Sequence, residues 1–229
     1  MEEFKTSFIN NFITDDRWKY LTSGLEKTLI ITFFAALLGI ILGFLVAIIR
    51  TSADKTGKFK IPNAICKIYL TIIRGTPVVV QLLIINFVIF ASSSIDTVIV
   101  AILAFGINSG AYVAEIVRSG IMSVDNGQFE AGRGLGFNYA QTMWYIIVPQ
   151  AFKNVLPALA NEFIVLLKET SVCGYIGIMD LTRGGDLIRS RTYEAFMPLI
   201  AVALIYLVIV MILTAGVNKL ERRLRSNER

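Results

Sequence analysis

Residues Leu29 to Ile49 run without a single charged side chain. About 20 apolar residues are enough for a helix to cross the hydrocarbon core of a bilayer, so this one run commits the chain to a membrane. Further apolar stretches cover about 61–90, 98–117, 143–167 and 195–217, and together with 21–49 they predict five transmembrane helices. The runs are continuous rather than alternating. That selects helices over a β-barrel, since in lipid every backbone polar group must be satisfied internally by one or the other. The expected fold is therefore an all-α integral membrane protein, with residues 1–229 as a single transmembrane domain. Only 17% of the residues are charged, against about 25% in soluble domains.

Composition also removes several kinds of chemistry. The chain has no histidine, which excludes His-based catalysis and His-ligated metals. Cys66 and Cys173 lie in different segments and form neither a CxxC pair nor a disulfide framework. No GxxxxGK[ST] phosphate loop is present, so ATP is not bound by that route. The start of the chain, Met1 to Lys19, is polar and mixed in charge, unlike a cleavable signal peptide. Phe4, Phe8 and Phe12 fall at helical spacing there; this end is either a short amphipathic helix lying in the interface or an irregular solvated segment.

Charge sets the expected topology. Residues 50–60, Lys67, Arg118, Arg133 and the tail from Lys219 to Arg229 hold 12 Lys and Arg residues, counted along the sequence. The lead through Lys27 and the 172–191 region hold seven by the same count. The positive-inside rule then places the 50–60 loop, the 119–142 loop and the C-terminus in the cytoplasm, and the N-terminus outside. The same asymmetry accounts for the net charge of +5 without nucleic acid as a partner.

The most specific pattern begins in the polar 119–142 loop and runs into the next apolar stretch. Glu130 to Ala151 reads EAGRGLGFNYAQTMWYIIVPQA. Gly132, Gly134 and Gly136 would weaken a free helix by about 1 kcal/mol each relative to Ala. They suit a short helix that ends in a tight turn and is pressed against another surface. The order Glu130-Ala131-Gly132, Gly136, Ile146, Val148-Pro149 resembles the EAA loop of ABC-importer permeases: EAA, three residues, Gly, nine residues, Ile, one residue, Leu-Pro. Gly132 stands for the third Ala and Val148 for the Leu, with the spacing intact. Four further stretches resemble the polar amino-acid branch of that family, the histidine, arginine, lysine, glutamine and cystine type. They are Gly24 to Leu29 (GLxxTL), Arg74-Gly75-Thr76-Pro77 with Gln81 (RGTPxxxQ), Gly110 to Ile121 (GAYxAExxRxGI) and Lys168 to Ser171 (KETS).

The resemblance implies the type I ABC importer permease fold, with a cytoplasmic coupling helix and a multi-pass position in the cell (inner or plasma) membrane of a prokaryote. It implies no cofactor on this chain, with ATP and Mg on partner ABC ATPase subunits. It implies a second permease chain, identical or paralogous, and an extracytoplasmic amino-acid-binding protein. Carried over residue by residue, Glu130, Ala131, Gly132 and Gly136 would form the docking core. Phe129 and Leu135 would either anchor in the ATPase groove or pack on the membrane surface.

The residues themselves suggest a pathway. Asn108, Tyr112 and Glu115 share one helix face by their spacing. Such a polar stripe lines a cavity or an interhelical contact. Arg74 sits beside Pro77, where a helix loses a backbone hydrogen bond and kinks. Arg74 and Lys168 offer charge to a carboxylate, while Glu115, Glu162 and Glu169 offer it to a cation. A cationic amino acid would use Glu115 or Glu162; glutamine or cystine would not need them. The competing readings are a secondary carrier or channel without an ATPase, a membrane enzyme and a structural scaffold. The first leaves the EAA-like loop without a partner, and no nucleophile–base pair or metal cluster supports the second.

Overall fold

The computed structural model describes residues 2–226, without the side chains of residues 55, 56, 225 and 226. The end of the basic tail, 227–229, lies outside the described residues. The chain is helical throughout, in the order α1 (Glu2–Phe8), α2 (Trp18–Thr56), α3 (Lys60–Gly75), α4 (Val78–Ile84), α5 (Thr97–Met122), α6 (Asn126–Gly134), α7 (Tyr139–Thr142), α8 (Val148–Glu169), α9 (Leu181–Thr192) and α10 (Phe196–Ser226). π-helical turns at Ile9–Ile13, Ile85–Ile89 and Met143–Ile147 extend α1, α4 and α7.

Among the described residues, three helices are long and apolar enough to cross a membrane: Trp18–Asp54, Thr97–Met122 and Phe196–Leu224. The expected second span, 61–90, is a broken pair. Lys60–Gly75 and Val78–Ile89 meet at 109° and would count as a fourth crossing. The stretch expected at 143–167 falls mostly on α8, where Lys153, Asn154, Asn161 and Glu162 interrupt the apolar surface. The long helices overrun their expected bounds because the flanking polar turns also favour helix. With 39 residues, α2 is about 58 Å long at 1.5 Å per residue, well beyond the bilayer core.

At the centre is α5, buried from Val100 to Ile121 on most of its surface. It packs along α2 through Gly39 and Gly43, whose four-residue spacing forms a small-xxx-small stripe that lets helices approach closely. A methyl group on Gly39 would lie 2.9 Å from Ser109 Cβ, and one on Gly43 would lie 2.5 Å from Val113 Cβ. A larger side chain at either position would force α5 to shift. Outward-facing residues on α2 and α10, such as Phe34, Leu37, Leu45, Leu207 and Met211, stay exposed, as a lipid-facing surface requires.

Three apolar clusters mark the two ends and the middle. Ile31, Leu82, Phe105 and Leu166 form one. Ala47, Val117, Ile147 and Ala151 form the second, beneath α6. Phe12, Leu181, Ile188 and Met197 form the third, which ties the N-terminal segment to α9 and α10. There Asn11 and Ser7 both donate to the Glu194 carboxylate at 2.6 Å. The N-terminal end is thus a docked helix whose Phe4 and Phe8 remain exposed.

Candidate functional site

The EAA-like segment folds as two short helices joined by one tight turn. Asp125 caps α6 by accepting the Gly127 N–H at 2.6 Å. At its end, Phe137 N–H donates to the Gly132 carbonyl at 3.1 Å and Gly136 N–H to that of Arg133 at 2.9 Å. This is a Schellman stop, and it needs Gly136 at φ +82°, a conformation other residues rarely adopt. Asn138 and Gln141 then form a reciprocal capping box on α7, both bonds at 2.9 Å.

Gly132 faces inward. A methyl there would lie 2.7 Å from Thr142 Cγ2 and 3.0 Å from Ile146 Cδ1. The departure from Ala at this position therefore has a cause in the same segment: Thr142 fills the space. Phe129 packs inward against the cluster that includes Ile147 and Ala151. Glu130, Ala131 and Leu135 point outward, Leu135 with 73% of its surface exposed. Of the two apolar residues with an open choice, Phe129 braces the segment and Leu135 is presented. Gln150 donates to Gln128 at 3.3 Å and Asn154 to Ser123 at 2.9 Å. These bonds tie α8 to α6 and to the turn before it, so α6 is held from beneath and open on its outer face.

The polar residues within the bundle separate into two groups. Asn108, which is 2% exposed, donates to Gln81 Oε1 at 2.9 Å. Gln81 Nε2 in turn donates to the Ile73 carbonyl and Thr76 Oγ1 at 2.8 Å, and to the Thr76 carbonyl at 3.1 Å. Ile73 is four residues before Pro77, so its carbonyl is the one that proline leaves without a helical donor. Asn108 and Gln81 thereby stabilise the break between α3 and α4.

Tyr112, Glu115 and Arg74 line an open cavity of about 670 Å³ together with Arg50, Lys67 and Arg118. Arg50 donates to Glu115 at 2.5 Å, with Arg118 at 3.8 Å and Arg74 at 4.0 Å from the same carboxylate. The Arg74 guanidinium lies 5.8 Å from the Tyr112 ring centre. The cavity lining carries four cations and one carboxylate, so this wall favours an anionic group. In the sequence, Arg50 and Lys67 bear only on topology and Arg118 on topology and the GAYxAExxRxGI match; Glu115 is 65 positions from Arg50, a pairing no local pattern reveals.

Glu162 stands elsewhere, accepting from Ser109 at 3.0 Å. Glu169 is half-buried at the end of α8 and Lys168 is exposed. The structure thus does not gather all the expected pathway residues. Arg74, Tyr112 and Glu115 share the cationic cavity, Asn108 supports the helix break, and Glu162, Lys168 and Glu169 lie along α8.

Residues 39–226 match the family described as binding-protein-dependent transport system inner membrane component. The arginine transport system permease protein ArtQ of Bacillus subtilis (strain 168) is 39% identical over 211 residues, covering 91% of this chain and 94% of its own. The glutamine transport system permease protein GlnP of Escherichia coli (strain K12) is 36% identical over 208 residues, covering 90% and 93%. A crystal structure of an amino acid ABC transporter with histidines superposes at a TM-score of 0.84, with 42% identity, over 93% of this chain and 98% of that one. Inward-facing MetNI, a methionine ABC transporter, superposes at 0.76 with 21% identity over 90% and 97%, a likeness of fold alone.

Proposed function

Since the chain belongs to the family of binding-protein-dependent transport system inner membrane components, we propose that it forms one half of the membrane pathway of an importer for polar, cationic L-amino acids. It is an ABC permease subunit of the type I importer fold and not an enzyme. ATP and Mg would act on a separate ATPase subunit. The five crossings would be α2, the bent α3–α4 pair, α5, α8 and α10. The N-terminus would lie outside and the C-terminus in the cytoplasm of a prokaryotic cell, in line with the charge bias.

The observation that carries the coupling role is the geometry of α6. Its inner face is wedged by Gly132 and Phe129, and its outer face presents Glu130, Ala131 and Leu135. A rigid helix exposed in this way transmits a rigid-body push from an ATPase to the bundle above it. Two copies of this chain, or this chain with a paralogue, would enclose the pathway, and a binding protein would deliver substrate from outside. Alternating access then results from the two permeases rocking as the ATPases close.

Within the pathway, the cationic cavity around Arg74 would hold the amino-acid carboxylate. Glu162 would face the cationic side chain, since Glu115 is already engaged by three guanidinium groups. A cysteine at Leu135 tests the coupling reading. It should crosslink to the ATPase expressed with the chain, and a cysteine at lipid-facing Leu37 should not. Equal yields at both positions would overturn the reading.

A further inference from the structure

Between α8 and α10 lies an open cleft of about 700 Å³, walled by Lys153, Asn154, Pro157 and Asn161 on α8 and by Thr214, Asn218 and Glu221 on α10, among others. The proposed topology puts it at the cytoplasmic end of the bundle. Both sets follow helical spacing, so each helix turns one polar face to the cleft. Elsewhere α10 presents exposed apolar residues such as Leu204, Leu207, Met211 and Ile212. Asn161 lies about 12 Å further along α8 than Lys153, at 1.5 Å per residue. The cleft therefore carries polar groups into the span, where they require water or a polar ligand rather than lipid.

The groups on its walls suit the main-chain ends of an amino acid. Lys153 offers a cation to a carboxylate. Pro157, inside α8, has no N–H to give the Lys153 carbonyl four residues before it. That carbonyl can accept from an ammonium group, beside the side-chain oxygens of Asn154, Asn161 and Asn218. Asn154 donates to Ser123 Oγ at 2.9 Å, which leaves its own oxygen as an acceptor. Among the described residues, the side chains of Lys153, Asn161, Thr214 and Asn218 have no hydrogen-bond or ion-pair partner. The volume is within the range of about 300–1,000 Å³ usual for small-molecule sites.

The cleft is also joined to the coupling segment. Asn154 holds the turn before α6 through Ser123, and Gln150, one helical turn earlier, donates to Gln128 on α6 at 3.3 Å. A molecule lodged between α8 and α10 thus bears on the helix that braces α6. An occupant that fits only while the cleft is open opposes any rocking that narrows it, by the reciprocity of linked equilibria.

We propose that this cleft binds the imported amino acid from the cytoplasmic side, with its carboxylate on Lys153, and that an occupied cleft slows further transport. This rests on the importer reading above and makes the product a brake on its own uptake. A few polar contacts in an open cleft give weak affinity, about 1 mM.

The test uses proteoliposomes holding the transporter assembled with its ATPase, with ATP in the lumen and binding protein with labelled arginine outside. Initial uptake is read against unlabelled arginine, or arginine methyl ester, enclosed in the lumen. Wild-type uptake should fall by half near about 1 mM luminal arginine. Lys153→Met and Asn218→Leu should raise that concentration by about tenfold or more, as loss of a hydrogen-bonded contact implies, with uptake into arginine-free vesicles unchanged. The ester has no carboxylate charge and should inhibit the wild type about tenfold less, whatever the variants do. Uptake indifferent to luminal arginine, or equal inhibition by the ester, would overturn the proposal. So would wild-type inhibition in both variants, which would assign the effect to the pathway at Glu162 instead. If the wild type takes up no arginine at all, the cationic-importer reading fails and this inference with it.

Discussion

Replacing Gln81 should destabilise the bend more than its single side chain suggests. Its amide satisfies the Ile73 carbonyl left by Pro77 and accepts from Asn108, and the residue is 8% exposed. Gln81→Leu strands that carbonyl and one Asn108 N–H. Each unsatisfied buried group costs about 1–3 kcal/mol, so the loss is about 2–6 kcal/mol, or a melting midpoint lower by about 4–24 °C for a chain of this size. Gln81→Glu keeps the acceptor for Asn108, but its ionised carboxylate would face the Ile73 and Thr76 carbonyls, so it should destabilise at least as much as leucine. A double-mutant cycle with Asn108→Ala should give a coupling of about 0.6 kcal/mol and at most about 1.7, the range seen for hydrogen bonds in membranes. The assay is thermal unfolding of the purified chain in detergent, followed by tryptophan fluorescence. A Gln81→Leu protein that melts with the wild type, or a cycle with no coupling, would refute the account of the bend.

Two further substitutions probe packing and charge. Gly43→Ala should cost about 1–3 kcal/mol through overpacking against Val113, and Val113→Ala should recover part of that loss in the double variant; a neutral single variant would show that α2 and α5 can separate. Glu115→Gln strands Arg50, whose side chain is 13% exposed, and should lower stability by about 1–3 kcal/mol, discounted for the water that reaches the pair. If it raises the KM for a cationic substrate at wild-type stability instead, Glu115 serves the substrate rather than the arginines.

How much the sequence reveals depends on how local each signal is. The membrane class and the helical fold are legible in runs within single segments, and the Gly39–Gly43 spacing marks a close helix contact without naming α5 as the partner. The tight turn at Gly136 is legible for the same reason, because its glycine and its helix are adjacent. The 109° break is only half legible. Pro77 announces a kink, but its size depends on Gln81 and Asn108 supplying the missing partners across helices. The pathway residues are the least legible. The spacing puts Asn108, Tyr112 and Glu115 on one face, yet their partners come from α2, α3 and α4, and those partners decide what each can do. Asn108 supports a bend, and Glu115 joins an arginine cluster.

The central claim is that α6 couples this membrane subunit to an ATPase. The most direct measurement is ATP hydrolysis in liposomes by the chain assembled with its ATPase and cognate binding protein, for wild type and Gly136→Asp, across a panel of amino acids. Aspartate at φ +82° opposes the turn that ends α6. The account predicts that one cationic amino acid stimulates hydrolysis by the wild type, and that Gly136→Asp reaches the membrane but loses the stimulation. Wild-type stimulation in the variant, or no ATPase association with either form, would contradict it.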